Sequence, residues 1–203
     1  MTTAIAPTIV TRPVEPARKY TVEEYLAMPD GDRYEFIDGQ LREDSMGMKA
    51  ATTTIRAGRR LDEYAERSGA GVVCSESLLY RIFANDQVVR RADVSFFRAG
   101  RAPSPELNVI TTAPDLVVEV VSPSNETIDD RLKVEAWLNA GVGMVWVLLP
   151  DTREVTIYRR GHRPRILTAE DTIEGDDLLP GFSAVVANLF PLPELAPPVE
   201  AEA

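Results

Sequence analysis

The stretch that decides the fold is Pro114-Asp115-Leu116-Val117-Val118-Glu119-Val120-Val121-Ser122, one carboxylate at the centre of an otherwise apolar run. Keeping an unpartnered carboxylate ionised in such surroundings costs several kcal/mol, so the charge requires a reason. Acids in this position shift their pKa, pair with a cation or bind a metal, and the segment is therefore where chemistry is to be sought. Side chains of a strand alternate between faces, which puts Asp115, Val117, Glu119 and Val121 on one side and Leu116, Val118 and Val120 on the other. Asp115 falls at the edge of the strand, where it begins the element or supports the site from its rim.

Downstream, Ser122-Pro123-Ser124-Asn125 breaks the pattern, and residues 127–140 read as an amphipathic helix closed by Gly141. The burst Val145-Trp146-Val147-Leu148-Leu149 belongs to a central strand beginning at Met144, and Val155 to Arg159 forms another. Strand, helix and central strand in that order are the layout of a right-handed parallel crossover.

Upstream, Thr21 and Glu24 make a capping box for a short helix ending about Met28. Arg33 to Ile37 and Gln40 to Arg42 flank Asp38-Gly39, a hairpin dipeptide that tolerates positive φ. Residues 49–67 form a long helix before Gly69, followed by strands at 71–75, 77–83 and 88–97, the last two joined by a turn at Asn85-Asp86. The expected fold class is α/β: a single domain with a mixed sheet flanked by helices, over residues 19–191. Pro-containing residues 1–18 and the Pro/Ala/Glu-rich residues 192–203 read as disordered tails. Antiparallel edges and the lack of a Gly-rich loop after any strand argue against a doubly wound dinucleotide-binding fold.

A chain of 203 residues with 44% hydrophobic and 27% charged residues supports one well-buried core. No apolar run is long enough to span a bilayer and no leader opens the chain, so the expected location is the cytoplasm, with no membrane partner. Cys74 is the only cysteine, which excludes an internal disulfide and a thiolate zinc cluster, and His162, the only histidine, lies in the polar stretch Arg159 to Pro164, which argues against a histidine-based triad or a multi-histidine metal site. Any metal must be held mainly by oxygen. A net charge of −10 argues against a general nucleic-acid-coating protein, without excluding a local phosphate contact.

A second strand acid, Asp93, occurs in Arg91-Ala92-Asp93-Val94-Ser95-Phe96-Phe97. If its strand neighbours that of Glu119, the two carboxylates converge on one hard cation such as magnesium. At this point the sequence resembles a known family. Tyr34-Glu35-Phe36-Ile37-Asp38-Gly39, Ala92-Asp93-Val94-Ser95 and Val118 to Ser124, with Asp129 to Lys133, Trp137 to Val142 and Val145-Trp146-Val147, are similar in order to the Uma-type family of restriction-endonuclease-like proteins. The resemblance spans residues 20 to about 160 and implies membership of the PD-(D/E)XK nuclease superfamily, with its restriction-endonuclease-like fold. It further implies Mg2+ (or Mn2+) held by Asp93 and Glu119, cleavage of phosphodiester bonds in nucleic acid, DNA above all, and catalytic roles for Glu35 and Lys133. The family's usual lysine two residues after the second acid is Val121 here, and Lys133 on the following helix is the relocated candidate. Ala92 stands where a proline is common, and Ala51-Thr52-Thr53-Thr54 where many relatives carry a histidine.

Plainer readings exist for each residue: Glu119 as a buried acid paired structurally with an Arg or Lys, and Asp93 as a strand-edge acid facing solvent or pairing with Arg91. Lys133 one turn after Asp129 is the spacing of an exposed ion pair, Glu35 of an ordinary hairpin acid, and Arg56, Arg59 and Arg60 of a solvated helix face balanced by Asp62, Glu63 and Glu66. Trp137 and Trp146 read as packing residues. The alternative function is a catalytically degenerate member acting as a binding or interaction module. A homodimer suits an enzyme that nicks both strands of a duplex.

Overall fold

The run around Glu119 forms β8 (Leu116–Val120), the fully buried strand of a six-stranded sheet, in a computed structural model that describes residues 18–43, 46–121 and 128–191. The expected tails, residues 1–18 and 192–203, lie outside the described residues except for Arg18. After residue 127, α3 (Ile128–Asn139) leads to β9 (Met144–Leu149), which pairs parallel with β8, as the crossover pattern requires. The sheet continues outward through β10 (Glu154–Arg159) and β11 (Arg165–Leu167) on one side. On the other it runs through β6 (Val94–Arg98) and β3 (Gly71–Ser75), every one of these pairings being antiparallel.

Alternation along the central strands sends their side chains into two separate cores. Leu116, Val118, Val120, Trp146 and Leu148 pack on one face against α2 (Met48–Ser68), whose Ala50, Ala57, Leu61, Tyr64 and Ala65 form a buried stripe. Small Ala50 and Ala57 let this helix lie close to the sheet, and Gly69 ends it in the left-handed conformation. Val117, Val145, Val147 and Phe97 face the other way, toward Val134 and Trp137 of α3 and toward Tyr80. The site side of Glu119 is therefore the α3 side.

A small sheet sits beside this framework. The helix α1 (Val22–Leu26) carries the expected Thr21–Glu24 capping box. It precedes a hairpin of β1 (Tyr34–Ile37) and β2 (Gln40–Glu43), turned by Asp38 and Gly39 at φ 52° and 84°. Tyr25 stacks on Phe36, and Val22 and Val89 complete this minor core.

The structure revises two expected strands. The stretch 88–97 is split: β5 (Val88–Val89) pairs with β1 of the hairpin, whereas β6 starts only at Val94. The bend falls at Arg90–Asp93 because Glu35 draws it toward the hairpin, accepting from the Arg91 backbone N–H and pairing with the Arg90 guanidinium. Within 77–83 only β4 (Leu79–Tyr80) is extended, parallel to β7 (Val109–Ile110), and Phe83 leaves that line to pack on Trp137. The antiparallel relation across Asn85-Asp86 survives as a single bridge between Tyr80 and Arg90. Beyond residue 160, where the sequence reading named no element, β12 (Thr172–Glu174), β13 (Ser183–Val185) and a 3-10 turn at Val186–Leu189 close the α2 core with Leu179, Phe182 and Phe190. Among the described residues no helix is long and apolar enough to cross a membrane.

Gly71 faces Arg98 where β3 joins β6, and a Cβ there would lie 2.0 Å from the Phe97 carbonyl oxygen and 2.6 Å from the Phe96 ring. Backbone cannot yield to a methyl group at that distance. The Gly71→Ala variant is expected to lose about 3 kcal/mol of stability, read as a lower urea midpoint; an unchanged midpoint would contradict the packing of this edge.

Candidate functional site

The register between β6 and β8 pairs Val94 with Val118 and Ser95 with Val117. Continued by one residue, it sets Asp93 opposite Glu119. Residues directly opposite on antiparallel strands share a face, so both carboxylates belong to the α3 side. Both are buried, and Asp93 Oδ2 accepts from the Val120 backbone N–H at 2.5 Å, which ties the start of β6 to the end of β8. The third acid, Glu35, enters from β1 and is buried as well.

Lys133 joins two of these acids. Its Nζ lies 2.9 Å from Glu119 Oε2 and 3.1 Å from Glu35 Oε1, and its side chain is only 18% exposed, so it is no solvated helix decoration. The side chain of Asp129, its expected helical partner, lies outside what is described. Glu35 Oε2 is held in turn by Arg90 at 2.9 Å. The remaining oxygen of Glu119, Oε1, accepts from the Trp137 indole N–H at 2.6 Å. The order of contacts is thus Trp137, Glu119, Lys133, Glu35, Arg90.

This order treats the two glutamates unequally. Burial pushes Glu35 upward, but Lys133 and Arg90, with the Arg91 N–H, outweigh it and hold its carboxyl below the ordinary range. Glu119 shares one ammonium and otherwise meets a neutral donor. Burial, with repulsion from Asp93 and Glu35, prevails over Lys133 and pushes it up to about 8. Its ionised form is therefore short of positive charge, which a further cation beside Asp93 would supply. The donors offered are hard carboxylate oxygens, the type preferred by Mg2+ and Mn2+. Among the described residues no group of three or more acid, histidine or cysteine side chains forms a complete metal cage. A cation here would use Asp93 and Glu119 together with water, as magnesium commonly does.

All four residues singled out in the sequence, Glu35, Asp93, Glu119 and Lys133, thus fall in one region. Asp115 does not join them: buried at the far end of β8, it binds the Arg98 backbone N–H and the Arg98 and Arg101 guanidiniums, pinning the turn that follows β6. Arg59 and Arg60 pair with Glu63 on α2, as a solvated face would. Two participants went unrecognised in the sequence. Trp137 was read as packing alone, although its place one turn after Lys133 puts both on one helical face. Arg90 carried no signal of its own, since its partner is 55 residues away.

A mixed sheet with an acid at the meeting ends of two neighbouring inner strands and a parallel crossover beside them defines the restriction-endonuclease-like class. A solved structure of this fold, described as a putative nuclease belonging to DUF820 from Anabaena variabilis, superposes with a TM-score of 0.73 at 20% sequence identity, covering 84% of this chain and 97% of that one. No curated protein matches the sequence. The chain belongs to the Uma2 family, whose description is "Putative restriction endonuclease" and whose model matches residues 22–189.

The raised Glu119 pKa has a consequence for stability in the absence of metal. Between the ordinary carboxylate range and pH 8 the folded chain keeps a proton that the unfolded chain has released, so this group's contribution falls as pH rises. In EDTA, Glu119→Gln is expected to come within about 1 kcal/mol of the wild type near pH 5 and to exceed it near pH 8 by on the order of 4 kcal/mol. Chemical denaturation at the two pH values measures this, and a variant less stable than wild type at both would contradict it.

Proposed function

We propose that the chain is a metal-dependent endonuclease that hydrolyses phosphodiester bonds, with DNA as substrate. The observation that carries the reading is Lys133 lying between Glu119 and Glu35 while Asp93 stands opposite Glu119. Val121 cannot do the work of the family's usual lysine, and Lys133 brings an ammonium to the same carboxylate from α3.

In this reading Asp93 and Glu119 hold a Mg2+ or Mn2+ ion. When bound, such an ion stabilises negative charge on a phosphoryl oxygen and acidifies a water molecule. Lys133 orients the attacking water or neutralises charge as it develops on the phosphate. Glu35, kept ionised by its two cations, holds that ammonium in place, and Arg90 holds Glu35. Water adds to phosphorus, the bond to one sugar oxygen breaks, and the departing oxygen takes up a proton. The net charge of −10 restricts phosphate contact to a local patch around this site. Two chains in a symmetric pair are the simplest arrangement for cutting both strands. The rival reading, a degenerate binding module, has the acidic net charge, Val121 in the usual lysine position and Ala51-Thr52-Thr53-Thr54 in place of a histidine in its favour, and Lys133 beside Glu119 weighs against the second of these.

Glu119→Gln and Lys133→Met are each expected to reduce magnesium-dependent nicking of supercoiled plasmid by on the order of 100-fold or more, Glu119→Gln with circular dichroism unchanged and Lys133→Met with a lower unfolding temperature but a folded chain at the assay temperature. Cleavage at the wild-type rate by Glu119→Gln would sink the assignment. Val121 shares the face of Glu119, so adding Val121→Lys to the Lys133→Met chain is expected to restore part of the activity. The absence of any restoration would show that an ammonium on that strand cannot replace the one from α3.

A further inference from the structure

We propose that Trp137 is a positioning residue for Glu119, fixing the rotation of its carboxylate so that one defined oxygen, Oε2, faces Lys133 and the cation site. The inference rests on the metal-site reading above and extends it to a residue that looks like core. The indole N–H donates to Oε1 at 2.6 Å, and the Lys133 ammonium lies 2.9 Å from Oε2. One oxygen is therefore committed to a neutral donor and the other to a charged one, which leaves the group no equivalent flipped orientation. A carboxylate on three rotatable bonds otherwise has little reason to keep one plane.

The donor is itself immobilised. Trp137 is fully buried. Tyr80 meets its ring edge-on at 5.4 Å and 82°, and Phe83 packs against it at 5.0 Å. Tyr80 is anchored in turn, its hydroxyl 2.6 Å from Ser95 Oγ, and Ser95 lies two residues along the same strand face from Asp93. One aromatic wedge thus spans from α3 to the strand that carries the other acid. A fully buried indole N–H needs an acceptor, and the one taken here is the Glu119 oxygen that Lys133 leaves free; outer partners of metal ligands commonly govern affinity by orienting them.

The test separates the N–H from the ring. Trp137 is replaced by benzothienylalanine, which keeps the bicyclic shape and puts sulfur where the N–H stood, and Phe83→Leu serves as a packing control. Manganese binding is measured by calorimetry on the full chain, beside thermal unfolding. The expected result is manganese affinity weakened 10- to 100-fold by the isostere, with its unfolding temperature lowered no further than that of Phe83→Leu. Phe83→Leu is expected to unfold at lower temperature and bind manganese as the wild type does. Equal affinity in the isostere and the wild type would overturn the positioning role while leaving the metal site standing. Equal weakening by Phe83→Leu would overturn it too, since packing would then account for the effect. A wild type that binds no manganese would overturn the metal-site reading and this inference with it.

Discussion

One ammonium shared by two buried carboxylates is the interaction on which the rest of the arrangement depends. Lys133 links Glu119 of the main sheet to Glu35 of the small hairpin sheet. Without it, like charges would face one another in a region where repulsion is poorly screened. Buried ion pairs rarely stabilise a fold better than apolar packing would, because the loss of hydration offsets their attraction. A gain in stability is therefore a weak account of this one, and the two glutamates are treated unequally. Glu35 has all the positive charge it needs, whereas Glu119 has less.

The hairpin would have little cause to dock on the main sheet through polar groups otherwise. Its own apolar cluster, around Val22, Tyr25, Phe36 and Val89, is small and separate. Glu35 is on the opposite face of β1 from Phe36, and through Arg90, the Arg91 backbone and Lys133 it fastens the hairpin to the bend before β6 and to α3. The geometry that orients the site is also what sets how the two sheets meet.

Much of this was legible in the sequence because it is local. The capping box, the Asp38-Gly39 turn, the α2 stripe ending at Gly69 and the crossover from β8 to β9 each follow from spacing within a few residues. The acid pair was legible for a different reason: a charge in an apolar strand is costly, so Glu119 and Asp93 stood out singly and the family resemblance joined them. The division of residues 88–97 was not legible. Both halves are rich in β-branched and aromatic residues, and what bends the chain between them is Glu35, far away in sequence. The packing role read for Trp137 holds, its ring being fully buried in the α3-side core, but its hydrogen bond to Glu119 was not legible, because only coordinates reveal where the N–H points. The segment after residue 160 escaped because its apolar residues are spread through turns and very short strands, with no period to follow.

The site is assembled from residues 35, 90, 93, 119, 133 and 137, drawn from the hairpin, the bend, an inner strand and the crossover helix. During synthesis, the hairpin and the first acid emerge long before the second acid and the lysine exist, and the parallel pairing of β8 with β9 must wait for later residues still. A chain made only as far as the first acid therefore cannot gather the cluster. Its assembly waits until β9 has been made, at residue 149, so the order of the site is set partly by a strand that contributes no residue to it.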